Sequence, residues 1–72
     1  MDEIKSITIE QTAKTPHIEL NHLNGDIILS GKSIPENAAN FYEPVLIWVN
    51  KYILRPRPIT NIRINLEYLS LI

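Results

Sequence analysis

Two histidines and a glutamate stand close together in the first third of the chain. His17 and Glu19 are two residues apart and project from one face of a predicted strand, whereas His22 projects from the other face. Imidazole and carboxylate groups can ligate zinc, but the strand separates the two histidines, and no second segment offers a partner at a ligand spacing. The sequence therefore predicts surface polar residues, with His22 at the core edge, and it indicates no metal or other cofactor.

Residue types that perform catalysis occur, but not in catalytic arrangements. The two glycines, Gly25 and Gly31, stand alone and build no phosphate-binding loop, and no serine lies in a nucleophile elbow. Glu36 stands at a predicted helix start, where the helix dipole stabilises a carboxylate. We interpret it as a capping residue rather than as a general base. The chain is predicted not to be an enzyme.

A basic corner lies near the end of the chain. Lys51, Arg55, Arg57 and Arg63 could bind phosphate or an acidic partner, and a small nucleic-acid binder is one hypothesis. The alternative is a solvated helix terminus whose cations complement the negative end of the dipole. The net charge is −1, and residues 1–46 hold three basic and seven acidic side chains, so we expect no nucleic-acid partner.

Seventy-two residues allow one domain with a small core. The chain has no cysteine, so no disulfide reinforces that core, and association with another copy is the expected compensation. Met1-Asp2-Glu3 starts no signal peptide, and no apolar run nears the roughly 20 residues that span a bilayer. We expect a cytoplasmic protein without a membrane partner.

The hydrophobic pattern predicts a β-β-β-α-β order. Ile7–Ile9 alternates like a strand, and Asn24-Gly25 predicts a two-residue hairpin turn that pairs Leu20 with Leu29. The Ser33–Glu36 segment fits a capping box before a long amphipathic helix in which Pro44 causes a kink or restart. Residues 62–68 alternate as a last strand, whose even positions are expected to face the helix. We predict a small mixed sheet with one long helix on one face, an α+β fold with a parallel crossover.

Four aromatic residues follow helical spacing on that helix: Phe41, Tyr42, Trp48 and Tyr52. Such a stripe covers a sheet efficiently and is usually core. In so small a domain, Trp48 and Tyr52 are also candidates for half-covered contacts with a partner.

An ordered set of motifs resembles the SiaC-like regulatory phosphoproteins, formerly a domain of unknown function. The matching positions are Thr15-Pro16, Asn24-Gly25, the Pro35-Glu36-Asn37-Ala38 helix start, Trp48 and Leu66-Glu67-Tyr68. The resemblance implies a fold like that of the anti-sigma-factor antagonists. It also implies a switch protein, phosphorylated by a SiaB-type kinase, whose unphosphorylated form activates a diguanylate cyclase and so promotes cyclic di-GMP signalling and biofilm growth.

The sequence departs from the family pattern after Tyr68. The family continues with a segment whose threonine accepts the phosphate, and alignment on Tyr68 puts Leu71 at that position. Ser70 is the nearby hydroxyl, one position off, so we expect no phosphosite. The resemblance also implies a single incomplete domain over residues 1–72, cut to about the first half of a family member.

The sequence thus favours a non-enzymatic signalling module that binds a diguanylate cyclase, a SiaB-type kinase or another copy of itself. The alternative is a truncated remnant that only self-associates. The candidate partner or oligomer interface comprises Trp48, Tyr52, Tyr68, Leu69, Leu71 and Ile72. Ser33 and Glu36 are the candidate helix cap.

Overall fold

The computed structural model describes residues 5–69, with side chains through residue 68. Four strands and one helix follow in the predicted order: β1 Ile7–Ile9, β2 His17–Asn21, β3 Asp26–Ser33, α1 Ala38–Tyr52 and β4 Asn61–Leu69. The strands form one sheet in the order β1-β2-β3-β4, with two antiparallel pairs followed by a parallel one. The predicted α+β fold, a mixed sheet with one helix, is confirmed.

The β2–β3 turn is longer than predicted. Asn21 pairs with Asp26 and Ile18 with Leu29, so four residues rather than two connect the strands. The Asn21 side-chain oxygen accepts hydrogen bonds from the backbone amides of Leu23 and Asn24, at 2.9 and 3.2 Å. This arrangement is an Asx turn. Gly25 has φ +74° and no other residue of this turn has positive φ. The predicted type I′ turn is therefore wrong. The predicted pairing of Leu20 with Leu29 is displaced by two residues, since Leu29 pairs with Ile18.

The helix begins later than the predicted capping box. Asn37 is the N-cap, and its side-chain oxygen accepts from the Asn40 amide at 3.1 Å. Ser33 is instead the last residue of β3, fully buried, with its hydroxyl bonded to that of Tyr42. Glu36 is exposed and lies 3.6 Å from the Lys14 ammonium. The Ser33 and Glu36 cap was a wrong prediction, because the strand continues to Ser33 and Asn37 provides the capping oxygen.

The helix continues through Pro44 from Ala38 to Tyr52. Its buried positions are Ala38, Val45, Trp48 and Tyr52, and they follow the predicted 3.6-residue stripe. Of these, Val45, Trp48 and Tyr52 pack with Ile18 and Leu20 of β2, with Ile7, Ile9, Ile27 and Leu29 at the margin. The core therefore lies between α1 and the first three strands.

The last strand is regular only in its first part. Ile62 pairs with Ile27 and Ile64 with Leu29, so both lie on the helix side of the sheet. The register shifts beside Gly31, and Glu67 has no partner on β3. An extra residue reverses the alternation of side chains, so Tyr68 pairs with Lys32, whose ammonium lies 5.7 Å from its ring centre. The predicted helix-facing alternation is wrong at Tyr68 for this reason.

Candidate functional site

Two of the predicted interface residues belong to the core. Trp48 and Tyr52 are each 3% exposed and stack with ring centres 5.1 Å apart. The Trp48 indole donates to the Lys5 carbonyl at 2.7 Å, which ties α1 to the segment before β1. Both rings are covered by this chain's own residues, as the interpretation of the aromatic stripe as core predicted, and neither is a half-covered partner contact in the chain alone.

Tyr52 also organises the segment that leads into β4. Its hydroxyl lies 2.8 Å from the Thr60 hydroxyl and accepts from the Arg57 amide at 3.1 Å. The Arg57 guanidinium donates through Nε to the His22 carbonyl at 2.9 Å, in the β2–β3 turn. Arg57, one of the arginines of the basic corner, therefore links the segment before β4 to the β2–β3 turn.

The two histidines each contact a neighbouring polar side chain and not each other. His17 Nε2 lies 2.9 Å from the Glu19 carboxylate, and His22 Nδ1 lies 3.4 Å from the Ser6 hydroxyl. The two rings have different partners, as the strand geometry predicted. Across residues 5–69, no group of three His, Cys, Asp or Glu side chains is placed to hold a metal ion. Within the same residues, no helix is long and apolar enough to cross a membrane.

An apolar surface lies between the helix and the last strand. On β4, Ile62 and Ile64 are each 63% exposed although they face the helix side of the sheet. They remain open because α1 packs over β1 to β3 and does not reach over β4. A wide apolar stripe on the strand is thus left without cover from the described chain.

The near flank of the helix continues this surface. Residues spaced four, three and four apart share one row along a helix. On α1 and its C-cap residue, one such row comprises Tyr42, Leu46, Val49 and Ile53. Tyr42 bonds with Ser33 at the end of β3, whereas Trp48 reaches toward β1, so the row lies on the β4 side. Leu46 is 59% and Ile53 61% exposed. We call Leu46, Ile53, Ile62 and Ile64 the α1–β4 surface.

The helix side of the α1–β4 surface was not predicted from the sequence. Leu46 lies outside the predicted buried stripe, and an apolar residue at an exposed helical position was the available signal. Tyr68, predicted at the interface, is 59% exposed beside Lys32. Leu69 ends β4, but its side chain, like Ser70, Leu71 and Ile72 as a whole, lies outside what the structure describes.

A family comparison identifies the class of protein. The model for the SiaC family regulatory phosphoprotein matches residues 9–71. The chain belongs to the SiaC family. The family consists of regulatory phosphoproteins rather than enzymes, which agrees with the prediction that this member performs no catalysis.

Solved structures support the same assignment. The crystal structure of apo-SiaC from Pseudomonas aeruginosa has a TM-score of 0.85 and 26% sequence identity. The match covers 92% of this chain and 55% of that chain, so the chain spans about half the length of its structural relative. A second structure, described as SiaC of Pseudomonas aeruginosa, gives the same values. No curated protein matches the sequence significantly. The chain is a regulatory signalling module of the SiaC family.

Proposed function

We propose that this chain is a non-enzymatic interaction module of cyclic di-GMP signalling that binds a diguanylate cyclase, with a SiaB-type kinase as a second partner. The match to the SiaC family over residues 9–71 supports the class of function. The cytoplasm, where such a cyclase makes its product, is the proposed location. Regulation of biofilm growth is the proposed output.

The α1–β4 surface is the observation that carries the binding proposal. Leu46, Ile53, Ile62 and Ile64 are each about 60% exposed, with the first two on the flank of the helix nearer β4 and the last two on the helix side of β4. Large adjoining apolar side chains at a monomer surface mark protein interaction sites. The surface also has basic neighbours, since Arg55 and Arg57 follow Ile53 in the chain. We propose an apolar partner segment with acidic flanks.

The module is proposed to bind constitutively rather than as a phosphorylation switch. Alignment on Tyr68 places Leu71 at the family's threonine position, and leucine has no hydroxyl to accept a phosphate. A chain that stays unphosphorylated would remain in the form that activates the cyclase. We also propose that residues 1–72 act as one domain unit.

The test measures cyclic di-GMP formation by a diguanylate cyclase of the SiaC pathway, with and without the chain. We expect saturable activation and direct binding by calorimetry. Leu46→Lys places a charge on the α1–β4 surface and should weaken binding about tenfold or more. Ile47→Lys is the matched control, because Ile47 is also exposed, at 48%, but lies outside the row that faces β4.

Absence of binding and activation would contradict the proposed function and favour the remnant hypothesis. Equal effects of the two lysine variants would contradict the role of the α1–β4 surface. The fold of each variant is checked by its melting temperature, since both positions are exposed in the chain.

A further inference from the structure

Among residues 5–69, no strand pairs with the outer edge of β4, which is a long strand edge. β4 has nine residues and stands at the end of the four-stranded sheet. The Asn61 amide donates to the Gly25 carbonyl at 2.7 Å, so the backbone of Asn61 points toward β3. Successive residues in a strand point their amide and carbonyl groups to opposite sides. Ile62, Ile64 and Leu66 therefore direct theirs to the open edge.

We propose that this edge pairs with β4 of a second copy, antiparallel and about a two-fold axis at Ile64. In that register Ile64 faces Ile64 of the other copy, and Ile62 faces Leu66. All three residues direct backbone groups outward, so the pairing forms about six hydrogen bonds. Its hydrogen bonds use only the regular part of β4, since the register shift begins after Leu66.

The side chains on the helix face fit this register. In an antiparallel pair, directly opposed residues share a face of the sheet. The six side chains of Ile62, Ile64 and Leu66 from two copies form one apolar floor between the two helices. A register displaced by a single residue would place these side chains against polar residues on the opposite face.

The charges on the other face also fit. Arg63 faces Asn65 of the second copy, and its two diagonal neighbours there are Arg63 and Glu67, of which Glu67 has the opposite charge and is within reach of a long side chain. Within one chain Arg63 and Glu67 stand about 13 Å apart along the strand, too far to pair. A register centred on Arg63 would instead set two arginines directly opposite. Compared with a register centred on Arg63, the proposed register therefore keeps the two arginines out of directly opposed positions and gives each a glutamate as a diagonal neighbour.

The exposed area is in the range that a dimer requires. The chain exposes 5444 Å², whereas an average monomer of 8.3 kDa exposes about 4,600 Å². The difference of about 840 Å² is close to the roughly 800 Å² that each partner contributes to a standard interface. An open strand edge without such a partner would invite uncontrolled association, and a closed two-fold pair prevents it.

Sedimentation of the 72-residue chain alone tests the proposal. We expect a closed dimer with twice the 8.3 kDa chain mass. Arg63→Glu should raise the dimer dissociation constant about tenfold, because it places two glutamates near each other across the interface. The double variant Arg63→Glu with Glu67→Arg should restore dimerisation. Both side chains are exposed, so neither change disturbs the core.

A cysteine experiment tests the register, since the natural chain has no cysteine. Ile64→Cys should form an intermolecular disulfide under mild oxidation, because the opposed Cα atoms of such a pair lie about 5.5 Å apart. Ile47→Cys on the helix is the control and should remain reduced. Faster cross-linking of Asn65→Cys than of Ile64→Cys would overturn the register.

A monomer at micromolar concentration, a mass that rises without limit, or no recovery in the double charge variant would each overturn the dimer. The dimer does not depend on cyclase binding. Its assays contain only this chain and use β4 variants, whereas the cyclase assay uses Leu46→Lys. The two proposals can therefore fail separately.

Discussion

The hydroxyl of Tyr52, in the last turn of α1, lies 2.8 Å from the hydroxyl of Thr60, which immediately precedes β4. The same Tyr52 oxygen accepts the Arg57 amide at 3.1 Å. Because α1 does not pack over β4, these bonds are a main link between the helix end and the strand that carries the proposed interface. Pairing with β3 makes β4 the fourth strand of the sheet, and the Tyr52 bonds anchor the segment that leads into it.

Replacing Tyr52 by phenylalanine should therefore weaken the fold and loosen the start of β4. The ring stays stacked on Trp48, but both hydrogen bonds are lost, at a cost of about 1–2 kcal/mol. The melting temperature should fall by about 4–16 °C for a domain of this size. Thr60→Val removes only one of the bonds and should cost less. Equal stability of Tyr52→Phe and the natural chain would show that the hydroxyl is not structural.

Gly25→Val should be strongly destabilising. Gly25 has φ +74°, which a β-branched residue adopts poorly. A side chain there would also press on the Ile59 carbonyl oxygen and come within 2.9 Å of the Tyr52 hydroxyl. We expect a loss of more than about 2 kcal/mol, with faster amide exchange in residues 18–29.

The matched comparison for this position uses alanine at both glycines. At Gly31 the nearest atom to an added Cβ is the flexible end of Gln11, at 3.2 Å, although φ is also positive, at +110°. Gly25→Ala should therefore lower the melting temperature more than Gly31→Ala. The reverse order would contradict the close approach of the Ile59 loop to the turn.

The two candidate caps can be separated by mutation. Asn37→Ala removes the oxygen that accepts the Asn40 amide and should cost about 0.5–2 kcal/mol. Glu36→Ala should leave the melting temperature unchanged, because its side chain is 88% exposed and its pairing with Lys14 is a surface contact. A larger loss at Glu36 than at Asn37 would restore the capping box that the sequence predicted.

The sequence predicted the element order well because each element has a strong period. Ile18, Leu20, Ile27 and Leu29 share one face although the register was wrong by two residues, since an even shift preserves the faces of a sheet. The true turn was hidden because the Asn21 side chain stabilises it, and Asn-Gly alone favours a shorter one. The cap was misplaced because Ser33-Ile34-Pro35-Glu36 and Asn37 compete as helix starts in the same stretch.

Exposure was harder to predict than secondary structure. The alternation in β4 identifies which residues point to the helix side, but not how far the helix extends over the sheet. Ile62 and Ile64 consequently looked like core and are 63% exposed. Conversely, Trp48 was a candidate for contact with a partner and is 3% exposed, with its indole bonded to the carbonyl of Lys5, which lies 43 residues earlier in the chain. Such long-range packing leaves no local signal in the sequence.

The chain should take no phosphate from a SiaB-type kinase. The alignment on Tyr68 predicts Leu71 at the position of the family's threonine, and a leucine side chain has no nucleophilic atom that could accept a phosphoryl group. Incubation with kinase and ATP, followed by intact-mass measurement, should leave the 8.3 kDa chain mass unchanged. SiaC of Pseudomonas aeruginosa is the positive control for the kinase, and Ser70→Ala identifies any transfer to the neighbouring hydroxyl. Stoichiometric phosphate that disappears in Ser70→Ala would make Ser70 the acceptor and restore a switch, with the cyclase released on phosphorylation.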